Sequence, residues 1–405
     1  MVSRGSSTAP TSTHVIGPDG ATRSIADRTA LRVWVAAGGR CTMCNRHLLG
    51  DEYTGTDVLV GQLAHIVGWT TTPGSPRGQG PLPVTDRNLE DNLMLLCYDQ
   101  HRVIDNRSLW ETYDVATLRA MKRRHEQRIR QLTDLHDDDR STVLRVVSDL
   151  HGNGVELSRQ TIATALLAND RFPEYALLGV NEFEIDLRAT PGEADGTPEY
   201  WAAGRALITD RLRLLRLQVG QEKIRHLSVF AIARVPLLIT LGVLLDDTVP
   251  TDVYPKRRDN GEGWGWDATA PTVDFIVDTV RAGTDPNRVA VLFSISGSID
   301  IDRLPADIAA TATVYEVHPV GVIPGIDVVH SRATLDNFAR VWRNLLSQFE
   351  RDHPGLPAID VFAAVPVTAA VTIGRGMMSA IHPPLRVYDR DTRNARYQFA
   401  MEITR

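Results

Sequence analysis

The chain has 405 residues, is 43% hydrophobic and 23% charged, and carries a formal net charge of −6. That length allows two or three domains, and the composition is that of an ordinary globular protein rather than a disordered or fibrous one. No apolar run is long enough and free enough of charge to span a bilayer. The opening MVSRGSSTAPTSTH lacks the apolar core of a signal peptide, so a cytoplasmic location is the default expectation.

The first 26 residues are rich in Ser, Thr, Gly and Pro and cannot bury enough surface to order themselves, which predicts a disordered tail over 1–26. A helix is predicted over 27–37, ending at Gly38-Gly39. VLVGQLAHIVGW (58–69) is β-branched and apolar and reads as a strand, followed by a Pro/Gly loop over 70–86. NLMLLCYDQHRVID (92–105) runs from an apolar stretch into polar residues that open a helix. A basic helix follows over 115–132, and the acidic HDDDRS (136–141) is the best domain boundary.

Beyond it, strands and helices alternate. Strands are predicted at 226–233, 288–296, 312–320 and 358–365. Helices are predicted at 235–245, with Pro236 in its first turn, and at 334–351, which is amphipathic. The alternation argues for α/β architecture with largely parallel strands. VFAIARVPLLITLG (229–242) also resembles VFAAVPVTAAVTIG (361–374), and each is followed by a Val-Tyr pair, at 253–254 and 387–388. The repeat suggests two similar Rossmann-like halves.

Charge is uneven: residues 1–136 sum to +2 and the remainder to −8. A polyanion would therefore meet the front of the chain more readily than the back. The three cysteines, Cys41, Cys44 and Cys97, all lie in that front part. A CxxC pair places two thiolates on one turn, and Cys97 supplies a third soft donor, a pattern suited to structural zinc. His101 and Asp105 are four apart, so a helix starting near Cys97 puts them on one face, where they could share a hard metal ion. Taken singly, His65 reads as a core histidine and Asn92 as a turn residue.

Together, a strand histidine, a long loop, Asn-Leu-x-x-Leu-Cys and a helix histidine resemble the HNH endonuclease family and its ββα-metal fold, over about residues 32–130. The resemblance implies that His65 is the general base, that Asn92 fixes the loop carrying it, and that His101 binds a catalytic divalent ion, Mg²⁺. Asp105 matches a second ligand position found in some members. Two positions depart from the pattern. Ala64 stands where many members carry a metal ligand before the base, and Gln100 stands where the fourth zinc ligand usually falls, so that either another residue, such as His47, completes the zinc site or the zinc is weak or absent. The basic helix, with Arg119, Lys122, Arg123, Arg124, Arg128 and Arg130, reads equally as a solvated face or as a surface for DNA phosphates.

In the back half, VYPKRRDNGEGWGWD (253–267) sets Lys256, Arg257 and Arg258 beside Trp264 and Trp266, a pairing of phosphate-binding cations with stacking surfaces that suits a nucleotide. FSISGS offers Ser294 and Ser296 at a strand end, and AAVPV offers Pro366 at another. With the second VFAAVPV…GRG, which holds Arg375, these stretches make the region resemble the SAVED domain, a fused pair of CARF-like units that sense cyclic oligonucleotides.

An HNH nuclease followed by SAVED resembles the effector of a CBASS anti-phage system. The resemblance implies a double-stranded DNA endonuclease activated by a cyclic di- or trinucleotide, working as a homo-oligomer: a dimer going to a higher assembly on activation. The domain expectations are an HNH domain over 27–136, a linker or relay over 137–170, and SAVED over 171–405. Two other readings stay open: a restriction-type HNH nuclease whose back half recognises modified DNA, and a non-catalytic ligand-sensing DNA-binding regulator.

Overall fold

Helix α1 (Asp27–Ala36) opens the secondary structure of the computed structural model and stops where the sequence predicts. Gly38 and Gly39 both take positive φ, 62° and 66°, a region that side chains with a Cβ avoid. The structure describes residues 17, 19–20, 22–50, 56–148, 157–174, 183–189, 196–245, 248–257, 263–378, 381–391 and 394–404. It divides into two units, Met1–Leu135 and His136–Arg405, so the boundary falls at the start of the acidic break.

In the first unit, β1 (Gly61–His65) pairs antiparallel with β2 (Leu93–Cys97), with Gly61 opposite Cys97 and His65 opposite Leu93. β2 runs directly into α2 (Tyr98–Asp105), and α3 (Val115–Thr133) closes the unit, N-capped by Asp114. The five β2 residues are all buried, and with Val33, Leu48, Ala64, Ile66, Ile104 and Leu118 they form the core. Gly61 is required here because a Cβ would stand 2.5 Å from the Trp34 ring.

Two expectations need correction in this unit. The strand predicted over 58–69 pairs only over 61–65, because the Asn92 side chain takes the main-chain N–H and C=O of Val67 and ends the ladder. The tail predicted over 1–26 is too long. Residues 1–16, 18 and 21 lie outside the described residues, but Ile25 packs on the core, and Asp19 accepts hydrogen bonds from Thr71 N and Oγ1.

The second unit begins with β3 (Arg140–Val147), α4 (Arg159–Leu167), β4 (Phe172–Glu174), β5 (Phe183–Asp186) and α5 (Pro198–Gly220). It continues through β6 (Leu227–Ile232), α6 (Val235–Leu245), β7 (Thr251–Val253), β8 (Phe275–Arg281), β9 (Val289–Ser294), α7 (Ala306–Thr311) and β10 (Thr313–Pro319). It ends with α8 (Arg332–Asp352), β11 (Ile359–Ala364), α9 (Val367–Arg375), β12 (Leu385–Arg390) and β13 (Tyr397–Ile403). One sheet has the order β4-β3-β6-β7, with β5 also on β3, and all its pairs are parallel. The other has the order β13-β12-β11-β9-β10-β8, parallel inside and closed at each edge by an antiparallel strand. β3 pairs with β4, β5 and β6, so residues 140–147 are interior sheet rather than the linker expected over 137–170.

The interior strands of both sheets are buried on both faces, as parallel sheets require. Val229 and Ala231 of β6, with Val289, Val291 and Phe293 of β9, point into one large core that also takes α5, α6, α8 and α9. Phe230 and Ile232 point the other way, into a cluster with α4, and Ala290 and Leu292 point into one with α7.

The sequence repeat is a repeat of structure. β6-α6-β7 and β11-α9-β12 are the same parallel β-α-β unit. Phe230 stacks on Tyr254 at 4.5 Å with Trp264 edge-on; Phe362 stacks on Tyr388 at 4.6 Å with Tyr397 edge-on. α6 and α9 pack on each other through matched glycines. A Cβ on Gly242 would lie 2.1 Å from the Val371 carbonyl oxygen, and one on Gly374 would lie 2.1 Å from that of Ile239. These four residues occupy equivalent places in the two copies, so the contact follows a local two-fold.

Candidate functional site

The first site is built by β1, α2 and the long loop between β1 and β2. Three buried or half-buried polar side chains give that loop one shape. Asn92, 2% exposed, accepts from Val67 N at 2.9 Å and donates to Val67 O and Arg87 O. The Arg87 guanidinium, equally buried, donates to the carbonyls of Gly68, Gly78 and Leu82. Arg77 donates to Ile66 O and Ile104 O, tying the loop to α2. Buried main-chain carbonyls need such donors when no strand supplies them.

His65 ends β1 where this loop begins. Its Nε2 lies 2.8 Å from Asn88 Oδ1. Burial pulls its pKa below the ordinary histidine value, although the Asn88 bond opposes this. Neutral imidazole is therefore its resting form near pH 7, with one nitrogen lone pair free to take a proton. The charges of His101 and Asp105 also act on it, so the two halves of the site feel each other.

His101 and Asp105 share a face of α2, with Nε2 and Oδ2 3.3 Å apart. His101 Nδ1 is 2.7 Å from Gln62 Oε1, a contact that orients the ring with Nε2 toward the carboxylate. An imidazole nitrogen and a carboxylate oxygen side by side are a donor pair that suits a divalent cation. The Arg77 guanidinium stands 3.5 Å from Asp105, and His101, Asp105 and Gln62 line an open depression. Ala64 is fully buried in the core, so the position before His65 does not face this pair. A divalent ion here would have two protein donors among the named residues, and water or substrate oxygens would supply the rest.

The three thiols converge. Cys41, Cys44 and Cys97 place their sulfurs within 4.8 Å of one another, the one such group of three potential ligands among the described residues. A tight turn with Asn45 at φ 60° brings Cys44 back over Cys41. Burial pushes the Cys41 thiol up, but amide N–H groups of Cys44, Cys97 and Met43 outweigh it and lower the pKa; burial pushes Cys44 up to about 11. Soft donors with amides aimed at sulfur fit zinc. His47, expected as a substitute fourth ligand, is exposed and stays outside the cluster.

On the basic helix, Lys122 is buried and paired with Glu126, and Arg128 donates to Asn45 Oδ1. Arg123, Arg124 and Arg130 are exposed. Part of the run is therefore structural and part is free to face solvent.

In the second unit a cleft of about 490 Å³ opens at the carboxyl ends of β6, β11 and β12, within the ~300–1,000 Å³ range of small-molecule pockets. The starts of α6 and α9 both line it, through Ala233-Arg234-Val235 and the equivalent Val365-Pro366-Val367. Helix N-termini favour anions. Lys256 and Ser296 line it as expected, with Arg234, His330 and Arg390. Ser296 Oγ is buried without a hydrogen-bond partner among the described residues. Asp389 and Asp327 also line the cleft, the first paired with Arg234 and the second with His330.

Several expected nucleotide contacts lie elsewhere. Trp264 is buried edge-on against Phe230, a core role set by aromatic packing. Ser294, 1% exposed, accepts from Ile299 N and shapes the following turn. Trp266 and Arg375 line a separate cavity with Arg332 and Asp252, where Arg375 donates to Thr251 O. Arg257 faces Asp267 rather than the cleft. Arg258 lies outside the described residues. Reading along the chain missed Arg234, Asp389, Gln62, Arg77 and Asn88. Arg234 alone had a signal: it directly precedes the Pro-led helix of the first repeat.

Residues 208–403 match the family model of the SAVED domain, described as "SMODS-associated and fused to various effectors sensor domain". No curated protein matches the chain. Among solved structures, the Cap4 SAVED/CARF-domain receptor of Acinetobacter baumannii with the cyclic trinucleotide 2′3′3′-cAAA is 13% identical, with a TM-score of 0.41, over 76% of this chain and 62% of that one. The Moraxella osloensis Cap4 receptor is 11% identical, with a TM-score of 0.39, over 75% and 60%. The chain thus spans about 60% of the length of these receptors, and the likeness is too distant to carry residue roles across. The family match falls on the duplicated α/β architecture: residues 208–403 are similar to the SAVED sensor domain.

Proposed function

We propose that the chain is a metal-dependent DNA endonuclease governed by its SAVED domain, the effector arrangement of a CBASS system. The observation that carries the nuclease reading is the pairing, on one β-β-α unit, of a neutral half-buried histidine, His65, with the adjacent side chains of His101 and Asp105. His65 would accept the proton of an attacking water. His101 and Asp105 would hold the divalent ion, Mg²⁺, which when bound supplies positive charge at the scissile phosphate and the leaving oxygen. Asn92 and Arg87 keep the loop behind His65 in one conformation, so the base is fixed before substrate arrives. Arg123, Arg124 and Arg130 offer phosphate contacts that position DNA without reading its sequence.

The cleft supports a cyclic di- or trinucleotide as the signal, because two helix N-termini, Arg234, Lys256 and Arg390 gather positive potential around an apolar floor. Such a ligand acts only by binding the active arrangement better than the resting one. The test is to incubate the protein with supercoiled plasmid and Mg²⁺, alone and with a panel of cyclic di- and trinucleotides. Degradation only with a messenger supports the proposal. Degradation with none favours the restriction-type reading, and intact DNA throughout with folded protein favours the non-catalytic regulator, which the buried Ala64 would suit.

A further inference from the structure

We infer that Asn88 is a positioning residue that locks His65 in the Nε2–H tautomer and so assigns Nδ1 as the proton acceptor. The inference rests on the reading of His65 as the base, and it begins with the amide of Asn88. Its Nδ2 donates to Thr22 O at 2.7 Å and to Ser24 O at 3.2 Å. Carbonyl oxygens only accept, so the amide cannot be turned over without setting oxygen against oxygen. Oδ1 is therefore the atom presented to His65, at 2.8 Å from Nε2. An amide oxygen only accepts as well, so Nε2 must carry the hydrogen, and the lone pair of neutral His65 resides on Nδ1.

Nδ1 has no hydrogen-bond partner among the described residues, and it is not among the buried unpartnered atoms. It is open to solvent, as a proton acceptor for water must be. When His65 takes a proton the imidazolium keeps its Nε2–H bond to the polar Asn88 oxygen, which favours the charged form against burial. The arrangement also explains why Thr22 and Ser24, at the end of a segment with no apolar pattern, are held on the unit: their carbonyls orient the amide that orients the base.

The test uses the full chain labelled with ¹⁵N-histidine, reading side-chain nitrogen shifts at neutral pH. The His65 signals are identified by their absence in His65→Gln. The expected result is one neutral tautomer, protonated on Nε2 in the wild type, which becomes a tautomer mixture in Asn88→Ala with the fold retained by circular dichroism. Cleavage in that variant should fall roughly tenfold or more, as when a tautomer-setting partner is lost. A wild-type His65 protonated on Nδ1 overturns the inference without needing any variant to fold. So does an unchanged tautomer in Asn88→Ala. If the tautomer is as expected but His65→Gln cleaves like the wild type, the general-base reading fails while the Asn88–His65 geometry stands.

Discussion

His65 shows how one residue's setting decides its chemistry. On an apolar strand it would be a packed core histidine; with Asn88 on one nitrogen and His101 and Asp105 near enough to act on it, it has the setting that the proposed base role requires. His65→Ala should lower the cleavage rate by roughly 10²–10⁴-fold, the usual worth of a general base, with DNA binding by gel shift unchanged. The pH profile follows from the direction of its shift. Its pKa lies below the ordinary 6.5, so the base is free at neutral pH and is lost as pH falls through that lowered value. The acid limb of the cleavage profile should therefore lie below about 6.5, and it should be absent from the residual rate of His65→Ala.

Stability moves the same way. His125, buried with Nε2 3.1 Å from Ala37 O, also has its pKa lowered by burial. The unfolded chain takes up protons at these histidines before the folded one does, so stability present above about pH 6.5 declines as pH drops through the lowered values. A lower denaturation midpoint at pH 5 than at 7.5 would show it.

At the scale of elements, spacing was the informative signal. The helix boundaries at Gly38-Gly39 and at Val235, the α2 face shared by His101 and Asp105, and the parallel strands of the second unit all follow from periodicity and turn residues. The repeat reaches further than its apolar pattern suggests, because its terminal glycines, Gly242 and Gly374, are where α6 and α9 touch. Gly242→Ala or Gly374→Ala forces a methyl against backbone, which cannot swing aside as a side chain can. Each should cost about 1–3 kcal/mol or more, seen as a drop in melting temperature of roughly 2–4 °C per kcal/mol. The loop between β1 and β2 was legible only in part. Asn92 falls at a recognisable place, but Arg77, Arg87 and Asn88 act through contacts with carbonyls distant in sequence. Asn92→Ala strands Val67 N–H in the core and should destabilise the first unit by about 2–3 kcal/mol, measurable by denaturant titration.

For the whole molecule, the tests concern what each unit holds. The thiol cluster should carry about one zinc per chain by elemental analysis, lost in Cys97→Ser together with thermal stability of the first unit. In the second unit, Arg234→Ala and Lys256→Ala should weaken activation by a cyclic nucleotide, while Trp264→Ala should act as a folding lesion, lowering the melting temperature without a selective loss of response.

Residue order by itself determined the α/β class, the duplicated β-Pro-α unit, the clustering of the cysteines and the histidine pair around β2 and α2, because each depends on neighbours within a few residues or on a repeat. It could not decide which basic and aromatic side chains meet a ligand. Lys256 and Trp264 are eight positions apart, yet one lines the cleft and the other sits in the core. Nor could it find Asn88, whose partners Thr22 and Ser24 lie more than sixty residues away. Those assignments belong to tertiary structure, since strand pairing and loop closure set them.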